Sequence, residues 1–127
     1  TLRGVARGLT LLTAHVKGGE PLDLDWKMLA GSRNTLGIYM GRVAAGTISR
    51  ELIAAGLDPE TSVLVAVNVS LPDERLIHGK LSALAFLVAA VSDDDPTLLL
   101  IGEAVRHPER LATNSSFVRM NEVAVAE

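Results

Sequence analysis

Thr35-Leu36-Gly37-Ile38-Tyr39-Met40-Gly41 is an apolar run that stops on a glycine, with a helix-like pattern directly behind it. Such a run is a buried strand ending in a tight turn, and in open α/β sheets ligands bind at the carboxyl ends of such strands. A ligand held by this chain is therefore expected beside Met40 and Gly41. The Tyr39-Met40-Gly41 turn is either ligand-facing or simply the end of a core strand, and the residues by themselves favour the core reading.

Downstream, the period changes from two to that of a helix: Ile48, Leu52 and Ala55 share one face, with Arg50 and Glu51 off it. Gly56 is placed to end that helix in a left-handed cap, and Asp58-Pro59 keeps it from restarting. Val63-Leu64-Val65-Ala66-Val67 follows without alternation, the signature of a strand buried on both faces. Strand, helix and strand make a βαβ unit, whose crossover is right-handed. Asn68-Val69-Ser70, just past the second strand, then sits at the same sheet edge as Met40, and two adjacent parallel strands ending together form one crevice.

Further on, Arg75-Leu76-Ile77-His78-Gly79-Lys80-Leu81 reads as a short strand near an edge, where charges are tolerated. Ser82 is expected to cap a helix whose Leu84, Leu87, Val88 and Val91 form an apolar stripe. The acids Asp93 to Asp95 read as a solvated loop, and Thr97 to Gly102 as a second buried strand. Upstream, Leu9 to Val16 is compatible with a strand, Lys17 to Pro21 with a turn, and Asp23 or Asp25 can cap a short helix through Trp26, Met28 and Leu29. The residues before Thr35 read as a lead-in, and the start at Thr1-Leu2-Arg3 looks like a cut from something longer. The resulting expectation is an α/β chain: a small three-layer sandwich with a mostly parallel mixed sheet.

With 127 residues and 48% apolar content, the chain is sized for one core. Aromatics make up only 3%, so that core must be built from Leu, Val, Ile and Ala. The formal charge of −3 and the absence of a Lys/Arg cluster argue against nucleic-acid and anionic-membrane partners. There is no cysteine, which excludes disulfides, thiolate nucleophiles and Cys-ligated zinc, and a reducing cytoplasm is the expected compartment. Uncharged stretches fall short of the roughly 20 residues a membrane-spanning helix needs.

Catalytic motifs are missing in this sequence. Neither a Walker pattern nor G-x-G-x-x-G occurs, no serine stands in G-x-S-x-G, and His15, His78 and His107 are too far apart for a metal-ligand pair. No catalytic residue and no metal site is expected.

The order of motifs carries a resemblance. Leu12-Thr13-Ala14-His15, Leu24-Asp25-Trp26, Thr35 to Gly41, Leu52-Ile53-Ala54-Ala55-Gly56 with the valine-rich strand behind it, Glu74 to Leu81 and Leu99 to Val105 follow one another as in the second half of the uroporphyrinogen-III C-methyltransferases, members of the tetrapyrrole methylases. The resemblance runs from about Leu9 to Val105 and implies a C-terminal domain of that two-domain fold. It places the last strand of the N-terminal domain and a linker in residues 1–34, the α/β methylase subdomain in 35–105 and a tail in 106–127.

It further implies S-adenosyl-L-methionine as co-substrate, uroporphyrinogen III as the tetrapyrrole substrate, precorrin-2 for siroheme or cobalamin as the product, a cytoplasmic homodimer, and a fragment inactive without its N-terminal domain. Met40 matches the methionine that packs against the cofactor, a contact suited to a polarizable thioether. Val69 occupies the position near the adenine where the family usually has glycine or alanine, and Val67 stands where glutamate is common. These departures favour the alternative of a non-catalytic assembly module of the same fold; another alternative is a methyltransferase for a different precorrin.

Overall fold

The computed structural model describes residues 6–16, 18 and 20–106. Strands β1 (Leu9–Thr13), β2 (Thr35–Tyr39), β3 (Ser62–Val67), β4 (Arg75–Lys80) and β5 (Thr97–Ile101) form one sheet in the order β1-β2-β5-β3-β4. The helices are α1 (Trp26–Gly31), α2 (Ala45–Ala54) and α3 (Leu84–Val88), with 3-10 turns at Leu81–Ala83 and Glu103–Val105.

The α/β class and the mixed sheet are as expected, but the sheet is not mostly parallel. Only β1 and β2 pair in parallel, while β5 lies antiparallel between β2 and β3, and β4 is antiparallel to β3. The β2-α2-β3 unit therefore skips a position, which β5 fills. The first strand belongs to the same sheet: β1 runs in register along β2, from Leu9 opposite Thr35 to Thr13 opposite Tyr39. The expected tail lies outside the described residues from 107 onward.

Each helix forms where its sequence satisfies an end or buries a face. The Asp25 carboxylate accepts from the Met28 amide at 3.1 Å and starts α1. In α2, Ile48 and Leu52 fall on one face and are fully buried. Gly56 (φ 111°) closes that helix, and the Leu57 amide reaches back to the Leu52 carbonyl at 3.0 Å in a Schellman-type end.

Ser82 does not cap α3. Leu81 is instead drawn into the core, its amide bonded to the Thr61 carbonyl (2.8 Å) and its carbonyl accepting from the buried Ser49 hydroxyl (2.7 Å). A 3-10 turn results, and α3 begins without a side-chain cap. The stripe of Leu84, Val88 and Val91 is buried, with Leu87 packed against it.

All three helices pack against the same face of the sheet. Leu36 and Ile38 of β2, Leu99 and Ile101 of β5, and Val63, Val65 and Val67 of β3 alternate toward Leu29, Ile48, Leu52, Leu84 and Val88. Each such side chain contributes about 1.5–3 kcal/mol on burial. The other face carries Leu9 and Leu11 of β1, Leu64 of β3, Leu98 and Leu100 of β5 and Leu76 of β4, and among the described residues no helix covers it. The described residues thus form two layers, not three. Burial on both faces, expected for β3, holds for Ala66 but not for Leu64, which is half-buried.

Candidate functional site

Parallel β1 and β2 end at the same edge of the sheet as β3, and antiparallel β5 begins there. The chain ends gathered at this edge enclose an open cleft of about 960 Å3. Tyr39, Met40 and Val43 line one wall, Ala66 and Val69 the opposite wall, and Thr97, Leu98 and the 93–96 loop lie between them. The expected crevice therefore exists, and it brings together the two residues singled out from sequence, Met40 and Val69. They are not on neighbouring strands, because the start of β5 separates them.

The cleft walls are apolar and exposed. Met40 is 59% exposed, Val69 53% and Val43 91%, so the Met40 side chain stands outside the core although it directly follows a core strand. Water over such a cluster is displaced favourably by an apolar ligand.

Backbone geometry sets both walls. Met40 (φ 55°) and Asn68 (φ 52°) are in the left-handed region immediately after β2 and β3, a conformation that is uncommon outside glycine and recurs at ligand sites. Gly41 next to Met40 is buried, and a Cβ there would lie 2.8 Å from Leu99 Cδ1 and 3.1 Å from Ile38 Cγ2. Only a residue without a side chain lets the turn pass this close to β5. Asn68 is buried, its amide donates to the Pro96 carbonyl and its side-chain amide to Asp73, both at 3.0 Å. Arg42 donates to the Val91 carbonyl at 3.4 Å and forms an ion pair with Asp93, and Arg75 pairs with Asp95 at 3.6 Å.

Several lining residues were not legible as members of one site. His15 lines the cleft because β1 pairs in parallel with β2, and the Ala14 amide extends that pairing to the Tyr39 carbonyl at 2.9 Å. Asp93 to Asp95 line it because β5 is antiparallel and starts at this edge. Strand direction was the missing signal: a run of acids reads as a loop until its strand is known to enter between two others. Among the described residues no group of His, Asp or Glu is arranged to hold a metal ion, and no helix is long and apolar enough to cross a membrane.

No protein-family model matches the chain. A search among characterised proteins does find relatives. The chain is 36% identical over 111 residues to a siroheme synthase of Thioalkalivibrio sulfidiphilus, covering 87% of this chain and 22% of that protein. It is 35% identical over 119 residues to a uroporphyrinogen-III C-methyltransferase of Paracoccus denitrificans, covering 94% and 42%, and 41% identical over 113 residues to a siroheme synthase of Cronobacter sakazakii, covering 88% and 23%. The chain thus spans between 22% and 42% of the length of these relatives.

Among solved structures, a uroporphyrin-III C-methyltransferase of Thermus thermophilus complexed with S-adenosylhomocysteine superposes with a TM-score of 0.68 at 31% identity, over 83% of this chain and 46% of that one. Its native form gives 0.72 at 31% identity, over 93% and 50%. A cobalt precorrin-4 methyltransferase shares the fold, with a TM-score of 0.73 at 20% identity over 84% of this chain and 45% of that one. Over most of its own length, then, the chain is homologous to the uroporphyrinogen-III C-methyltransferases and siroheme synthases, and it has the fold of about half of such a methyltransferase.

Proposed function

We propose that this chain is the C-terminal part of an S-adenosylmethionine-dependent uroporphyrinogen-III C-methyltransferase, with Met40 and Val69 as opposite walls of the cofactor site. The observation that carries the reading is the convergence of these two residues, 29 positions apart in sequence, on one apolar cleft at the carboxyl ends of β2 and β3. S-adenosylmethionine supplies an electrophilic methyl group on a sulfonium, and its transfer needs chiefly an aligned donor in an apolar, well-ordered environment. Tyr39, Met40, Val43 and Val69 supply apolar surface, and the Met40 thioether is a polarizable contact for the cofactor. The left-handed backbone at Met40 and Asn68 holds both walls at the cleft edge.

Two successive transfers are needed for precorrin-2: in each, ring π electrons of the tetrapyrrole form a C–C bond to the methyl as the S–C bond breaks, S-adenosylhomocysteine leaves with the sulfur electron pair, and the positive charge passes to the ring, which can shed it as a proton. The remainder of the protein supplies the tetrapyrrole cavity and the second half of the cofactor site, so this chain alone is inactive. The product is precorrin-2, feeding siroheme or cobalamin, in a cytoplasmic homodimer. Met40→Ala in the full-length protein is expected to weaken S-adenosylhomocysteine binding about tenfold by calorimetry, the effect of losing about 1.4 kcal/mol of contact. Unchanged affinity would remove Met40 from the site.

A second reading, that this part of the protein serves assembly, is favoured by the face opposite the helices. Leu9 and Leu11 fold over Gly37, where a Cβ would lie 2.8 Å from Leu11 Cδ2, and both leucines are about half exposed, as is Leu76. A second copy is the occupant that fits a homodimer. Leu11→Glu is expected to convert dimer to monomer in sedimentation, and a dimer that persists would move the contact elsewhere.

A further inference from the structure

The 92–96 loop lies between the two walls of the cleft and is fastened to each by a different kind of bond. On the Val69 side the tie is in the backbone, the Asn68 amide donating to the Pro96 carbonyl at 3.0 Å. On the Met40 side, the side-chain tie is Arg42, which donates to the Val91 carbonyl at 3.4 Å and pairs with Asp93. Beyond the packing of Gly41 on β5, the polar ties of the turn behind Met40 are few: the Ala45 amide reaches the Arg42 carbonyl only at 3.4 Å, α2 starts on Ala44 without a side-chain cap, and Met40 itself projects into solvent.

We propose that Arg42 is a positioning residue for the cofactor: its ion pair with Asp93 sets the separation between the Met40 turn and the loop at the head of β5, and so the width of the cleft. This rests on the cofactor reading given above. The guanidinium is suited to the task because its planar fork serves two acceptors at once, the Val91 carbonyl and the Asp93 carboxylate. Its partner Asp93 has a side chain 83% exposed, against 24% for Arg42. A pair so open to solvent adds little to folding stability and is weakened by salt. Its effect is therefore expected in ligand affinity and not in the melting temperature. Asp95 is held separately by Arg75 at 3.6 Å, so loss of the Arg42 pair frees only the Met40 side of the loop.

The test is titration of S-adenosylhomocysteine into the full-length protein carrying Arg42→Ala, Asp93→Ala, or the reversed pair Arg42→Asp with Asp93→Arg. Each single change is expected to weaken binding about fivefold, near the most an exposed pair contributes, with the thermal midpoint unmoved and the reversed pair recovering only the part due to the ion pair, since aspartate at 42 cannot donate to the Val91 carbonyl. Raised salt is expected to weaken the unaltered protein but not Arg42→Ala. If the unaltered protein binds and the single variants bind equally well, the positioning role is wrong. If Arg42→Ala weakens binding while Asp93→Ala does not, Arg42 acts on the ligand directly and the proposal is overturned. If the unaltered protein fails to bind, the cofactor reading itself falls and this role falls with it.

Discussion

The turn after β2 and the turn after β3 face each other across one cleft, and they are held in opposite ways. The β3 turn is a closed hydrogen-bonded unit. The Leu71 amide reaches the Asn68 carbonyl at 2.9 Å, the Glu74 amide reaches the Leu71 carbonyl at 3.0 Å, and the Ser70 amide is taken by the Glu74 carboxylate at 3.0 Å. The β2 turn has no such set. It is held from below, by the close packing of Gly41 on β5, and from the side, by Arg42. One wall is fixed by its own polar groups and the other by its fit to the core, so perturbations of polar groups and of packing are expected to affect them differently.

The largest expected effect tests what the two walls share. Leu99 is fully buried in β5 between them and contacts the space above Gly41. Leu99→Ala is expected to cost about 2–5 kcal/mol in denaturant unfolding. A cost below about 1 kcal/mol would mean that β5 does not support the walls. Next, Gly41→Ala is expected to cost about 1–3 kcal/mol through overpacking against Leu99 and Ile38. A neutral result would show that the β2 turn is not held by close approach.

The smallest effects separate the two left-handed residues. Asn68→Ala removes a partly buried side-chain bond and keeps the unfavourable backbone, so a loss of about 1 kcal/mol is expected. Met40→Gly removes an exposed side chain and relieves the backbone, so stability is expected to hold or to rise by about 1 kcal/mol. Equal losses at both positions would erase the contrast between the walls.

What the sequence made legible follows from range. Val63 to Val67, Thr35 to Tyr39 and the Gly56 helix end are written in local pattern and local backbone need, and they form where the pattern places them. The Arg75 to Lys80 segment is an edge strand, consistent with its charges. Pairing partners are not local. Nothing in Thr97 to Ile101 announces that it enters antiparallel between β2 and β3, so the sheet was read as mostly parallel and the acids before it as a plain solvated loop. The Ser82 cap failed for the same reason: partners at Ser49 and Thr61, distant in sequence, pull Leu81 inward. Met40 and Val69 were legible as a pair because each directly follows a strand of the same direction, whereas Arg42 carries no sequence signal of its tie to Val91 and Asp93.

The central claim, that one ligand is held between Met40 and Val69, is tested most directly by methyl-resolved nuclear magnetic resonance of the full-length protein titrated with S-adenosylhomocysteine. The methyl signals of both Met40 and Val69 are expected to shift together with one saturation curve, while those of Leu9 and Leu11 on the far face of the sheet stay in place. Shifts confined to Leu9 and Leu11, or no shift at either wall while the ligand binds, would contradict it.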